Sequence, residues 1–516
     1  MTKPIVPATP QLLLPDDEFN RQLLGNVHPI PWDNPEPMGR YNIVVIGAGA
    51  AGLVTAAGAA ALGAKVALIE RHLMGGDCLN AGCVPSKGIL RAAHAWAATS
   101  AGATFGLSFP SDVQRDFGAA MARMRHLRAQ ISHTDSAERF KSLGVDVFIG
   151  EGHFTGRDTV EVDGKTLRFR RAAICTGGRA AAPPIPGLAD ANYLTNETVF
   201  SLTRLPSRLA VIGAGPIGCE LAQAFARFGS QVTLLERTDH ILPREDTDAA
   251  GVVQDRLERD GVTFAFEASI EAIERRGAEK VIRYADADRQ HELVVDELLV
   301  GVGRVPNVEG LDLEAADVVF DKTGVTVTDR LQTSNPQVFA AGDICFPFKF
   351  THTADALAQI VIQNALFPHP LGLGMASTEN LIIPWCTYTE PEIAHVGMYA
   401  ADAERKGIAV ETFTQPLAKV DRAILDGEDE GFVRVHLKKG TDRILGATIV
   451  AGNAGNMISE VTVAIKAGAG LSTIGRTIHP YPTQAEALRL VANLMRKTRF
   501  SRTQKSLLGR WFAWNR

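Results

Sequence analysis

The 516-residue sequence predicts an α/β protein with two matched parallel-sheet units and a C-terminal α+β region. Three observations predict it. A short apolar strand runs into a Gly-rich turn and a small-residue helix twice. An acidic residue closes the second strand of each unit at the same distance. Beyond about residue 376 the pattern changes to alternating strands and helices.

Composition narrows the class. Hydrophobic content of 46% and charge of 22% are ordinary for a soluble globular protein. A domain typically takes about 150 residues, so the length suggests three or so domains. The net charge of -5 gives no reason to expect nucleic acid, and six cysteines in this length do not make a disulfide framework. Met1-Thr2-Lys3-Pro4 leads into a proline-rich polar segment with no apolar signal core, so a cytoplasmic location is expected. Ile43 to Ala64 carries no charge over roughly the length that crosses a bilayer. Its Ala and Gly content and its glycine pattern favour a strand and a buried helix instead.

Taken in order, residues 1–40 hold eight prolines and read as an extended N-terminal arm. Tyr41–Ile46 is the first strand. It enters Gly47-Ala48-Gly49-Ala50-Ala51-Gly52 and a helix, and the second strand, Lys65–Ile69, ends at Glu70. This is a Rossmann-like βαβ unit: the glycines permit a tight turn and close approach to a pyrophosphate at the helix start, and Glu70 suits a ribose. The unit recurs with Gly213-Ala214-Gly215-Pro216-Ile217-Gly218 and Glu236, 166 residues on from Gly47 and from Glu70 alike. Two such sites imply two dinucleotides.

Between them lies Gly-Gly-Asp-Cys-Leu-Asn-Ala-Gly-Cys-Val-Pro-Ser-Lys, residues 75–87. Cys78 and Cys83 have four residues between them. On a regular helix residues five apart have Cα atoms roughly 8–9 Å apart, whereas a disulfide needs less than about 7 Å. Pairing therefore requires a distorted helical turn, for which Asn80 and Gly82 supply permissive backbone. A helix N-terminus favours thiolate. The pair reads as a redox-active dithiol, with one dinucleotide a flavin and the other a nicotinamide.

These motifs, in this order over residues 41–495, resemble the flavoprotein pyridine nucleotide-disulfide oxidoreductases, among them glutathione reductase, dihydrolipoamide dehydrogenase and mercuric reductase. The resemblance implies that Gly47, Gly49, Gly52 and Glu70 hold FAD, and that Cys78 and Cys83 form the redox disulfide. Cys83 then faces the flavin and Cys78 meets the substrate. It implies a flavin-side Lys87 partnered by Glu220 at the nicotinamide site, where Gly213, Gly215, Gly218 and Glu236 bind the coenzyme. Gly177 marks the hinge out of the FAD domain, Arg304 the return, and Asp343 a ribityl contact. The implied domains are an FAD domain (41–190 and 309–375), an NAD(P) domain (191–308) and a homodimer-forming domain (376–495), flanked by the arm and a tail (496–516). Glu236 leans the coenzyme to NADH, while Arg237 leaves NADPH as the alternative.

Ile478-His479-Pro480-Tyr481-Pro482-Thr483-Gln484-Ala485-Glu486 bears on the branch. Glutathione and lipoamide enzymes carry a His-Pro-Thr-x-x-Glu acid/base here. Aligning on Pro482-Thr483 and Glu486 puts Tyr481 in the histidine's place, with His479 two residues earlier. A phenol with a pKa near 10 is a poor base at neutral pH. Mercuric reductases also place tyrosine here, so the chain is most similar to them, although no cysteine follows Cys386 and residues 1–40 lack a C-x-x-C. The expected acceptor is a thiol-bound metal ion, with no resident metal site; the alternative is a small or protein disulfide, with His479 as base. A low-turnover redox sensor or membrane-docked interaction protein is the reading from another class.

Cys175 is an unusual hinge occupant, and Cys219, Cys345 and Cys386 read as packing residues. The arginines of 115–128 read as a solvated helix face, and Glu486 as an orienting group for Tyr481 or His479. The basic, tryptophan-bearing tail suits either packing on the body or partner, or peripheral contact with an anionic membrane surface.

Overall fold

The computed structural model describes residues 13–516 apart from residues 101, 109–113 and 288. Two compact units divide the chain. The first gathers the described residues up to Gly213 with Ala224–Leu235 and Ala268–Leu381; the second comprises Ala214–Gln223, Glu236–Glu267 and Ile382–Arg516.

The first unit is α/β. Strands β1 (Arg40–Ile46), β2 (Val66–Glu70), β3 (Val145–Ile149), β4 (Gly152–Gly156), β5 (Thr159–Val162) and β6 (Lys165–Ile174) form a sheet in the order β3-β2-β1-β6-β5-β4. Strand Val338–Ala340 lies parallel to β6. β1 is central, parallel to β2 with Val45 opposite Leu68 and to β6 with Val45 opposite Ala173. Ile43, Val44 and Val45 are all fully buried, which is why this strand reads as an unbroken apolar run. Helix α2 (Ala50–Ala61) packs close to helix Thr351–Leu366: a Cβ on Gly58 would stand 2.5 Å from Ile362 Cδ1. The unit also holds the parallel strands Arg208–Ile212, Gln231–Leu235 and Glu297–Val300. An antiparallel meander is made by Ser269–Arg276, Glu279–Asp286 and Arg289–Val295.

Two expectations are corrected here. The arm is not wholly extended: α1 (Glu18–Val27) is helical, started by Asp17 Oδ1, which accepts the Asn20 N–H at 2.8 Å. Leu23 and Val27, one turn apart, are fully buried in the core, and Pro15 and Pro29 stand outside the helix. Residues 1–12 lie outside the described ones. The second correction is α5 (Phe117–Ser132), whose arginines do not all face solvent. Arg125 and Arg128 are buried with Met121, Met124 and Ala129, at the 3–4 residue spacing of one helix face.

The second unit carries a five-stranded antiparallel sheet, ordered Pro384–Thr387, Glu392–Gly397, Ile444–Ala451, Phe432–Lys438, Val410–Pro416. Helices Ala454–Lys466 and Glu486–Arg499 bury Val461, Leu488 and Val491 in the same core as Ala447 and Ile449 of the sheet. The tail forms a helix, Arg502–Trp514, with no buried residue. Among the described residues no helix is long and apolar enough to cross a membrane.

Candidate active site

The first Gly-rich turn joins β1 to α2. Gly47 has φ +99, and a Cβ there would stand 2.5 Å from the Cys175 carbonyl oxygen, so only glycine fits. Glu70 Oε2 accepts the Ala48 N–H at 2.7 Å and Oε1 accepts the His72 N–H at 2.8 Å, which fixes the acid beside the turn.

The dithiol segment starts against that turn. Gly75 donates its N–H to the Ala48 carbonyl at 2.8 Å. Gly75 and Gly76 are both left-handed, and a Cβ on Gly76 would lie 2.7 Å from Gly49 Cα. Helix α3 (Gly76–Asn80) carries Cys78, and helix α4 begins at Cys83 and runs Cys83–Ser100, with Lys87 one turn in. The helical run is thus broken between the two cysteines. The break frees carbonyls that buried side chains satisfy: Arg128 donates to Asn80 O at 2.8 Å, and Asn196 to Ala81 O at 3.1 Å. Arg128 also donates to Asn20 Oδ1 of α1 at 2.7 Å, and Arg125 pairs with Asp17 at 2.5 Å.

Both cysteines are thiols here, Cys78 half-buried and Cys83 exposed. They hydrogen-bond one another, and this contact, with burial, pushes the Cys78 thiol well up. Thr351, first residue of its helix, places Oγ1 3.4 Å from Cys83 Sγ and also hydrogen-bonds the Cys78 thiol. Its position in the sequence carries no signal of this role. Arg304 joins the neighbouring pieces: its guanidinium bonds Asp77, reaches Asp343 Oδ2 at 3.1 Å and donates to Gly178 O at 2.6 Å. Burial pushes the Asp343 carboxyl up, and Arg304 and Lys349 oppose this. Asp77, unremarked in the sequence, is what links Arg304 to the dithiol helix. At the hinge Gly177 is left-handed, and Thr176 and Asn307 exchange hydrogen bonds, both 2.9 Å. Cys175 is buried, its thiol pushed up to about 12 by burial.

In the second unit, Glu236 repeats the arrangement of Glu70. It accepts the Ala214 N–H at 2.6 Å and the Arg237 N–H at 2.7 Å. Buried Glu220 accepts the Tyr388 N–H at 2.9 Å. Cys219 is buried, whereas Cys386 is half-buried; Cys345, in the first unit, is half-buried too. At the far end, the His479 side chain is only 5% exposed. Its Nε2 lies 3.0 Å from Glu460 Oε1, and its Nδ1 lies 3.1 Å from Thr477 O. Tyr481 is 70% exposed and donates to Asp421 Oδ2 at 3.0 Å, a contact that pushes the phenol up. Glu486 is hydrogen-bonded to Arg489, and its charge acts on Tyr481. Glu460, not Glu486, is therefore the carboxylate that orients His479. The first unit thus brings Cys78 and Cys83 together with Thr351, and the second brings His479 to Glu460 and Tyr481 to Asp421.

Family models for the pyridine nucleotide-disulphide oxidoreductases match residues 41–359, and for their dimerisation domain residues 383–492. The chain belongs to this family.

Within the family, a mercuric reductase of Staphylococcus aureus is 34% identical over 456 residues, 88% of this chain and 82% of that one. A dihydrolipoyl dehydrogenase of Thermus scotoductus is also 34% identical, over 472 residues, 89% of this chain and 98% of that one. Among solved structures, the HOCl-induced flavoprotein disulfide reductase RclA of Escherichia coli aligns with a TM-score of 0.78 and 28% identity, covering 88% of this chain and all of that one. A Cu(II) complex of RclA aligns equally well, with a TM-score of 0.78. The chain is an oxidoreductase of a flavoprotein family that uses FAD and NAD(P)H, and it carries a homodimerisation domain.

The residues present fit FAD. Helix α2 has no side-chain cap, so its first N–H groups are left for an anion. The nearest atom to a Cβ on Gly49 is 3.8 Å away, and a Cβ on Gly52 would collide with Gly47 O. At the second turn Gly215 has no atom within 4 Å of that position. Among the described residues, no group of three or more His, Cys, Asp or Glu could hold a metal ion.

Proposed function

We propose that the protein oxidises NADH and passes the electrons to a thiol-bound soft metal ion. When bound, FAD supplies the two-electron relay between a nicotinamide and the dithiol. Gly47, Gly49, Gly52, Glu70, Gly177, Arg304 and Asp343 would hold it. Gly215, Gly218 and Glu236 would hold the nicotinamide coenzyme, with Glu220 as an orienting group in the same unit. Glu236, turned to the start of its Gly-rich turn, favours a ribose 2′-hydroxyl over a 2′-phosphate.

Cys78 and Cys83 receive the metal ion by displacing its two thiolate ligands, which leave as free thiols after protonation. The protons of the two cysteine thiols go to those leaving thiolates. The ion then takes up two electrons from NADH and departs, and the two cysteine thiolates regain two protons, one released as NADH becomes NAD⁺ and one from solvent. Thr351 places a hydroxyl within hydrogen-bonding reach of both sulfurs. The observation that carries this reading is the state of the two candidate bases. Both ring nitrogens of His479 are occupied in a nearly buried setting, and the exposed group, Tyr481, has its proton held by the Asp421 carboxylate. A metal acceptor needs ligands more than a proton shuttle. The mercuric reductase relatives and the Cu(II)-bearing RclA complex support the same direction.

One observation favours a second reading. The Glu460–His479 pair is an imidazole oriented by a carboxylate, the arrangement a disulfide reductase needs. Anaerobic NADH oxidation by the purified protein separates the two. Fast turnover with Hg(II) in excess thiol, lost in Cys78→Ser, supports the metal reading. Fast turnover with lipoamide alone, lost in Glu460→Gln, overturns it.

A further inference from the structure

The C-terminal helix Arg502–Trp514 has no role in the electron path, yet its composition is unlike the rest of the chain. Seven of the chain's 53 Lys and Arg, and none of its 58 Asp and Glu, fall in residues 496–516. The helix is properly started: Ser501 and Gln504 form a reciprocal capping box, with the Gln504 N–H donating to Ser501 Oγ at 3.1 Å. It is therefore a built helix and not a frayed end.

Its two faces differ. At 100° per residue Leu507, Leu508, Trp511, Phe512 and Trp514 share one side, and Arg502, Lys505 and Arg510 share the other. The apolar side is uncovered: Leu507 is 60% exposed and Trp514 78%. Trp511 and Trp514 pack edge to face, their centroids 5.5 Å apart, so the aromatic pair is held in place on that side. Arg502, Lys505 and Arg510 make no ion pair with a described acidic residue. At the helix start lies a cleft of about 510 Å³ lined by Leu490, Leu494 and Phe500, by Gln415 and Asn493, and by Arg496, Lys497 and Lys505.

We propose that this helix seats the protein on an anionic lipid bilayer surface. Tryptophan and leucine enter the headgroup boundary, the basic side chains meet lipid phosphates, and the cleft faces the same surface. Charge argues for lipid over a second copy of this chain. A two-fold contact of this helix with its own copy would set one acid-free basic segment against another, whereas an anionic surface complements the whole run.

The test uses full-length holoenzyme sedimented with phosphatidylcholine vesicles, with and without phosphatidylglycerol. Binding should need phosphatidylglycerol, weaken with salt, and shift the tryptophan emission to the blue. Arg502→Gln/Lys505→Gln/Arg510→Gln should lose roughly a hundredfold in partitioning, from about fivefold for each charge near the surface. Trp511→Ala/Trp514→Ala should also detach, with NADH oxidation and sedimentation mass unchanged. Failure to bind phosphatidylglycerol vesicles at low salt overturns the proposal. So does a tryptophan variant that binds vesicles as well as the parent, or one that falls to half the parent's mass, which would make a second copy the occupant.

Discussion

Replacing Arg128 by methionine should loosen the segment that carries the two cysteines while costing the whole fold about 0–3 kcal/mol. Arg128 is 4% exposed and donates to Asn80 O and Asn20 Oδ1. Hydrogen bonds from a charged group contribute about 1.5–3 kcal/mol each, so losing both costs about 3–6 kcal/mol. Against this, burial pulls the guanidinium down to about 10. Holding that charge inside costs the folded state about 3 kcal/mol, which methionine restores. The two effects largely offset, leaving a net loss of about 0–3 kcal/mol. The local effect does not cancel, because Asn80 O keeps no donor in the break between α3 and α4. Losing the charged donor to that half-buried carbonyl costs about 1.5–3 kcal/mol, or roughly 10–100-fold in local opening. Hydrogen–deuterium exchange read by mass spectrometry should show that acceleration across residues 76–83. Asn20→Ala, which keeps the Arg128–Asn80 bond, should speed exchange in α1 but not in 76–83. Unchanged exchange of 76–83 in Arg128→Met, or equal acceleration in both variants, would refute the reasoning.

Two further outcomes can be checked on the same protein. His395 stacks on Tyr399 and packs tilted against Trp385, and burial pulls its imidazole down to about 3. The unfolded chain takes up a proton near 6.5 where the folded chain does not, so the stability is whole above pH 6.5 and falls as pH drops toward 3, by at most about 1.4 kcal/mol per pH unit. His395→Phe/Thr448→Val, which keeps the stack and removes the Thr448 hydroxyl bonded to Nδ1, should melt with a shallower pH dependence between pH 7 and 4; parallel curves for the two proteins would count against this. Glu236→Gln keeps an acceptor for the Ala214 N–H but removes the charge, so the NADH-over-NADPH ratio of kcat/KM should fall by about tenfold, the effect of one charge beside a phosphate. An unchanged ratio would place the discrimination elsewhere.

What the sequence made legible is what lies close along it. The α/β fold, the two Gly-rich turns and their acids are patterns confined to short windows, and β1, Gly47 and Glu70 stand in the structure as those patterns require. The break between Cys78 and Cys83 is the distortion that pairing of the two residues would require of a helical turn. What stayed hidden depends on distant partners. Thr351 is 268 residues from Cys83, Asp77 is 227 from Arg304, and Arg128 is 48 from Asn80; no local spacing announces such contacts. The corrections have local causes. In the arm, counting prolines outweighed the helical spacing of Leu23 and Val27. In α5, counting arginines hid that Arg125 and Arg128 share a buried face with Met121 and Met124. At the C-terminus, the motif-based spacing pointed to Glu486, whose charge acts on Tyr481, while the group that reaches His479 is Glu460, two helices earlier.

The central claim is that Cys78 and Cys83 are the thiols that NADH reduction makes available. Anaerobic alkylation of the air-oxidised holoenzyme, with and without NADH, followed by peptide mapping, tests it directly. The account predicts that NADH exposes two new alkylation sites, Cys78 and Cys83, while buried Cys175 and Cys219 stay unlabelled in both samples. Labelling of Cys78 and Cys83 to the same extent without NADH, or NADH-dependent labelling at another cysteine, would contradict it.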